Sequence, residues 1–293
     1  MDRRILSIVL GFVFILSAMV FSQEDSGISN EAKMEFNAGN KAFKEGKTSL
    51  ALEKYKAAVT HDPNFALAYY WMGNVYKKER DYVNAAKSYE SEIQKDGQMV
   101  SAYTALGYVL ARQQKYTEAL NSYKAAVNID ANDAKAYWGM GEVYRRQKNF
   151  TQAVDNYQKA VEIDPTYDNA WKGMGVSYNE LAQYENAAEA FTNALQYIRS
   201  SSEKGDVYFR LGNAYTELRR FDDAEAAYKD CLSNARQSVI KAGANFGLGE
   251  IYKKRGNAQQ AIRYYQEASK DRNWKKAAEH EIDVLKNPDK YAY

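Results

Sequence analysis

Apolar and small residues recur along this chain in a long period, not in the short alternation of a strand. Seven glycines, Gly39, Gly73, Gly107, Gly141, Gly175, Gly212 and Gly249, follow one another at intervals of 34 residues and, toward the C-terminus, 37. Aligned on them, the chain falls into columns. An apolar residue precedes each glycine (Ala38, Met72, Leu106, Met140, Met174, Leu211, Leu248). An alanine follows at Ala51, Ala85, Ala119, Ala153, Ala187, Ala224 and Ala261, and an aromatic one helical turn later at Tyr55, Tyr89, Tyr123, Tyr157, Phe191, Tyr228 and Tyr265. Further aromatics stand one turn before the glycine, at Tyr69, Tyr103, Tyr137, Trp171 and Tyr208, and nearly one turn after it, at Tyr76, Tyr144, Tyr178, Tyr215 and Tyr252. Steps of three and four residues place such positions on one helix face. Each period therefore predicts two amphipathic helices, the glycine in the first and the alanine in the second. Small residues mark where two helices cross most closely, because a larger side chain would force their axes apart. A fixed period of this length is how stacked supersecondary units show themselves in sequence.

This column pattern resembles the tetratricopeptide repeat, in which an aromatic, a leucine and a glycine mark the first helix. Two alanines, an aromatic and a closing proline mark the second. Here the second alanine column reads Ala58, Glu92, Ala126, Ala160, Ala194, Cys231 and Ala268, and the closing proline survives at Pro63 and Pro165. Glu92, the missing prolines and short insertions on either side of the sixth unit depart from the pattern. The resemblance covers residues 32–273. It implies an all-α fold, a right-handed α-solenoid of about seven helix-turn-helix repeats (about 32–65, 66–99, 100–133, 134–167, 168–204, 205–241 and 242–273). Residues 23–31 read as a short linker. Residues 274–287 predict a capping helix with Ala277, Ile282 and Leu285 facing inward, which an open array needs over its last apolar face. A loose tail is expected over 288–293.

The resemblance further implies that the first helices line a concave ligand surface. Its ligand-facing columns nominate the aromatics Phe36, Tyr70, Tyr108, Trp138 and Phe209, the amides Asn40 and Asn74, and the cations Lys77, Lys78, Arg112, Arg145 and Arg146. The polarity turns over afterwards, at Glu180 and Glu217. Aromatic anchors beside cations suit a peptide with apolar side chains and carboxylates. The same cations also sit in the last turn of a helix, where the helix dipole favours them without any ligand. Relatives that grip a C-terminal carboxylate use lysine where Phe36 and Tyr70 stand here, so recognition of a chaperone tail is not expected.

Composition narrows the function further. Basic and acidic residues nearly balance, 40 against 38, so nothing draws the chain toward nucleic acid. Arg3 and Arg4 precede an apolar run from Ile5 to Phe21 that gives way to Ser22-Gln23-Glu24-Asp25. That is the layout of a secretory signal peptide over 1–22, with an uncleaved membrane anchor over 5–21 as the alternative. Either way the repeats are expected to be exported, periplasmic or secreted. The lone Cys231 fits the small-residue column better than any redox role. Two histidines, His61 and His280, have no partner at metal-ligand spacing, and no nucleophile elbow or phosphate loop is present. The expectation is a non-enzymatic interaction scaffold of the cell envelope, without cofactor or metal, that binds a protein or peptide in its groove. The alternative is a structural part of an envelope assembly, held by its convex face or its N-terminal anchor.

Overall fold

The computed structural model describes residues 27–291. The expected signal peptide or anchor, and residues 292–293, lie outside the described residues. Each period folds as a helical hairpin: α1 (Asn30–Lys44) with α2 (Thr48–His61), α3 (Ala66–Lys78) with α4 (Tyr82–Lys95), and α5 (Val100–Arg112) with α6 (Tyr116–Ile129). The series continues through α7 (Ala134–Arg146) with α8 (Phe150–Ile163), α9 (Asp168–Glu180) with α10 (Tyr184–Tyr197), α11 (Ser201–Glu217) with α12 (Phe221–Asn234), and α13 (Ser238–Lys254) with α14 (Ala258–Ala268). A last helix, α15 (Lys275–Lys286), and a short 3-10 turn at Pro288–Lys290 follow; no strand occurs among the described residues. The fold is therefore all-α, built from stacked tetratricopeptide-type hairpins. Two compact units divide inside α6, one ending at Ser122 and the other starting at Tyr123.

The hairpin turn has one recipe throughout. One residue takes a left-handed backbone, and the two amides around it return to the last turn of the first helix. In the second hairpin Arg80 N–H reaches Lys77 O (3.1 Å) and Asp81 N–H reaches Tyr76 O (2.9 Å), which satisfies otherwise orphaned helix carbonyls. Gly46 and Gly256 adopt this conformation without penalty, whereas Arg80, Gln114, Lys148, Ala182 and Arg219 hold it at φ between 56° and 64°. The insertions around the sixth unit lengthen first helices: α11 and α13 have 17 residues where α3, α5, α7 and α9 have 13. The added turn stays close to its neighbour because Gly205 lies against the Ala235 backbone, 2.4 Å from where a Cβ would stand.

The core of each hairpin is an aromatic ring laid on a glycine. In the first unit, a Cβ on Gly39 would lie 2.6 Å from the Tyr55 ring and one on Gly73 would lie 2.5 Å from Tyr89. In the second unit, Tyr157 is held between Gly141 and Gly173, and Tyr228 between Gly212 and Gly247, so one ring fills the space between successive first helices. Burying such a ring is worth about 1.5–3 kcal/mol. Its hydroxyl must then find a partner, and the residue after the glycine supplies it. Tyr55 donates to Asn40 (2.8 Å), Tyr89 to Asn74 (2.9 Å), Tyr157 to Glu142 (2.5 Å), Tyr228 to Asn213 (2.8 Å) and Tyr265 to Glu250. Where the ring is Phe191 and has no hydroxyl, the corresponding residue is Val176, packed on the same apolar cluster.

Two sequence departures are structural in different ways. Cys231 is buried, and burial pushes its thiol up to about 12, so it acts as a small hydrophobe. Glu92 is fully buried, and neither carboxylate oxygen has a hydrogen-bond partner. Burial, with a smaller contribution from the charge of Asp96, pushes its carboxyl up to about 8. At neutral pH this residue therefore sits in the helix stack largely as the neutral acid.

The inner face of α15 differs from expectation by one position. Ala278 is buried and Ala277 exposed, while Ile282, Leu285 and Trp274 pack against the cluster of Tyr265 and Ala268. The Trp274 indole donates to Val239 O at 3.0 Å, and Lys253 pairs with Glu281. The start of the tail is also not loose: Lys290 Nζ and the Tyr291 hydroxyl both reach Asp283, at 2.7 and 2.6 Å.

Three outcomes follow from this packing. Gly141→Ala drives a methyl into the Tyr157 ring and should cost about 1–3 kcal/mol by urea titration. Glu142→Val should be strongly destabilising alone and largely relieved by Tyr157→Phe, which recreates the Val176–Phe191 pairing; the double-mutant cycle should show about 1–3 kcal/mol of coupling. Because the folded-state pKa of Glu92 is raised, its contribution to stability is full below the ordinary carboxylate range and is lost as pH rises through about 8. Wild-type stability should therefore fall relative to Glu92→Ala by up to about 1.4 kcal/mol per pH unit between roughly pH 5 and 8, as urea midpoints at stepped pH would show.

Candidate functional site

With the core aromatics assigned, what remains on the first helices is the surface that could meet a ligand. In the first unit, the side chains of Phe43, Trp71, Asn74, Lys77, Lys78 and Tyr108 surround a cavity of about 540 Å³. This is within the range of about 300–1,000 Å³ common for ligand pockets. Its wall is built by ring packing. Phe43 meets Trp71 edge-on (5.5 Å, 70°), Trp71 stacks on the buried Tyr55 (6.5 Å, 25°), and Tyr70 also meets Trp71 edge-on (6.0 Å, 80°). Lys78 Nζ lies 5.0 Å from the Phe43 ring centroid, a cation–π contact that holds the ammonium at the rim. Asn74 accepts the Tyr89 hydroxyl proton at its carbonyl oxygen (2.9 Å). Among the described residues, no carboxylate lines this cavity.

In the second unit, Trp138, Glu142, Arg145, Asn169, Lys172, Val176, Asp206 and Arg210 line a smaller cavity of about 260 Å³. Its charges are already matched. Arg145 forks onto Glu142 through Nε (3.1 Å) and Nη2 (2.8 Å), and Arg210 Nε reaches Asp206 at 3.0 Å. Burial pushes the Glu142 carboxyl up, but the hydrogen bonds from Arg145 and Tyr157 outweigh this and hold it below its ordinary range. The Trp138 ring packs near Tyr167 (5.9 Å), and its indole N–H is buried without a hydrogen-bond partner.

The nominated residues thus divide. Asn74, Lys77, Lys78 and Tyr108 meet in the first cavity, and Trp138 and Arg145 in the second. Tyr70 is not a lining residue of the first cavity and packs on Trp71 and Tyr89. Asn40 serves as the acceptor for Tyr55. Arg112 is exposed and lies 5.6 Å from the Tyr82 ring, and Arg146 is exposed. Phe36 belongs to the core instead: it is buried against Tyr55 (5.6 Å) and against Phe65 (4.8 Å), the N-cap residue of the next first helix. Phe209 packs toward Tyr228 (6.2 Å) and Gly243, which makes it a supporting ring and not a cavity wall.

Sequence columns overlooked Phe43 and Trp71. The signal was present as two exceptions. Trp71 stands where three other units have Gly139, Gly173 and Gly247, and Phe43 stands where others have Lys77, Arg145 and Lys253. A large ring in a glycine column meets an aromatic in a cation column of the preceding first helix, and the two rings touch at 5.5 Å.

Comparison with known proteins agrees with the hairpin assignment. A family profile described as TPR repeat matches residues 39–79, 107–148 and 141–181. Two described as tetratricopeptide repeat match 205–238 and 246–273. Among curated proteins there is no match. Among solved structures, the C-terminal part of a TPR repeat-containing protein from Cytophaga hutchinsonii is similar at 17% identity with a TM-score of 0.70, over 84% of this chain and 99% of that one. A tetratricopeptide repeat protein from Parabacteroides merdae is similar at 15% identity and a TM-score of 0.59, over 88% of this chain and all of that one. MamA from Desulfovibrio magneticus is similar at 24% identity and a TM-score of 0.54, over 58% of this chain and 97% of that one. These likenesses are of fold, while the profile matches together span more than half of the residues, and on them the chain belongs to the tetratricopeptide-repeat family.

Proposed function

We propose that this protein is an exported, non-enzymatic scaffold that captures an extended segment or helix of a partner polypeptide on the faces of its first helices. The observation that carries this reading is the first-unit cavity, which opens beside the rings of Phe43, Trp71 and Tyr108 on three successive first helices. Tetratricopeptide-repeat domains generally bind proteins or peptides, and such surfaces concentrate binding energy in a few aromatic anchors. Acidic groups on the partner would meet Lys77, Lys78, Arg112 and Arg146. Export is supported by Arg3, Arg4 and the apolar run Ile5 to Phe21, which lie outside the described residues. Repeat folds serve many unrelated tasks, so the argument rests on the surface and not on the fold.

Site-specific photo-crosslinking in the native host tests this. A photoreactive residue at Arg112 or Lys172, both on first helices, should trap a discrete partner. The same residue at the exposed Val83 or Tyr197, both on second helices, should trap little of it. Trapping from Val83 or Tyr197 alone would move the interface to the second helices and favour an assembly component held by its outer face.

A further inference from the structure

We infer that Glu92 is a proton-dependent latch on the seam between the second and third hairpins, holding α5, and with it Tyr108 of the first cavity, in place only while it is uncharged. This rests on the groove reading above and adds a control to it. The repeat sets where Glu92 sits. In other hairpins its column is filled by small residues that pack on the next first helix: Ala58 with Ala68 and Val75, Ala194 with Val207 and Leu211, and Cys231 with Ala244 and Leu248. Glu92 takes the same place against α5, where Ala102, Leu106 and Val109 are buried. A seam shaped for a methyl group thus holds a carboxyl group, fully buried, and neither of its oxygens has a hydrogen-bond partner.

The groups around it cannot balance a charge. The aromatics one turn before the glycines flank this column, as Trp171 does beside Ala160 and Ala194. The ionisable groups that face Glu92 are therefore Tyr69 of α3 and Tyr103 of α5, two phenols. The cations of those helices, Lys77, Lys78 and Arg112, stand in the last turn, at the end away from Glu92. On its own helix, Asp96 adds a like charge and Lys95 reaches Asn64 instead (3.1 Å). A carboxylate formed there is costly, and the ready relief is to admit water by parting the helices. The two sides of α4 resist unequally. Toward α3, the Tyr89 ring lies on Gly73 and its hydroxyl on Asn74 (2.9 Å). Toward α5, Gln113 Nε2 holds Tyr82 O (2.8 Å) at the end far from Glu92, so the start of α5 is what swings free. Burial, with a smaller contribution from Asp96, raises the carboxyl to about 8, which closes the latch below that pH and opens it above.

The test is hydrogen exchange read by mass spectrometry on the full-length protein, with Glu92→Gln and Glu92→Ala beside the wild type. Glu92→Gln keeps the shape without the charge. Glu92→Ala restores the residue that most other hairpins carry, so the answer does not hang on one variant folding well. Between about pH 6.5 and about pH 9, corrected for intrinsic rates, residues 102–108 of the wild type should exchange at least about tenfold faster, and α13 less than about twofold faster. Both variants should keep residues 102–108 protected across that range. Wild-type protection that does not fall, an equal fall in α13, or an equal fall in either folded variant would overturn the latch. The groove reading would survive that result, since first-helix crosslinks to a partner test it separately; loss of those crosslinks with exchange as expected would remove the groove reading and leave the latch.

Discussion

An aromatic ring pressed on a glycine in the facing helix is the contact from which the rest of this protein is built. Replacing the glycine hydrogen by a methyl brings carbon atoms within 2.7 Å in every hairpin of the second unit, closer than real contacts allow, so the ring fixes how near the two helices come. The ring also brings a hydroxyl into the interior, and burying it unpaired would cost about 1–3 kcal/mol. That requirement dictates the next residue along: asparagine or glutamate where the ring is Tyr55, Tyr89, Tyr157, Tyr228 or Tyr265, and valine where it is Phe191. Packing and hydrogen bonding are thus a single constraint repeated along the chain.

The consequence for function is that the groove inherits only what the core leaves over. The column after the glycine looks like a row of ligand-facing amides, yet its oxygens are spent inward. Arg145 looks like a free cation, yet Glu142 claims both of its forked nitrogens. Around Trp71, which packs on the core cluster with one side, the rings of Phe43 and Tyr108 and the side chains of Asn74, Lys77 and Lys78 line a cavity. Lys78 shows how this residue can be both structural and available, since resting over Phe43 neutralises nothing.

The repeated hairpins were legible in the sequence because the same steric demand recurs with a fixed period. Seven glycines and seven aromatics are hard to produce by chance. The turn was less legible: Arg80, Gln114, Lys148, Ala182 and Arg219 hold a left-handed conformation that only Gly46 and Gly256 announce. Surface residues were least legible, because periodicity reports what every unit shares and a binding site is what one unit does alone. Phe36 stands in a ligand-facing column but is buried against Phe65 at the start of the next hairpin, whereas Phe43 and Trp71 break their columns and so escape a reading by shared positions. Glu92 broke its column too: its buried oxygens have no hydrogen-bond partner, and burial raises its carboxyl to about 8.

Four tryptophans make the central claim directly measurable. With 5-fluorotryptophan incorporated, Trp71 reports on the first cavity, Trp138 on the second, Trp171 through its bond to Pro165 O, and Trp274 beneath the last helix. Fluorine NMR of the full chain with increasing amounts of its crosslink-identified partner should shift the Trp71 resonance saturably while leaving Trp274 in place. A Trp71 resonance that stays fixed at saturating partner would contradict the account, because binding would then be occurring on a surface the first-unit cavity does not share.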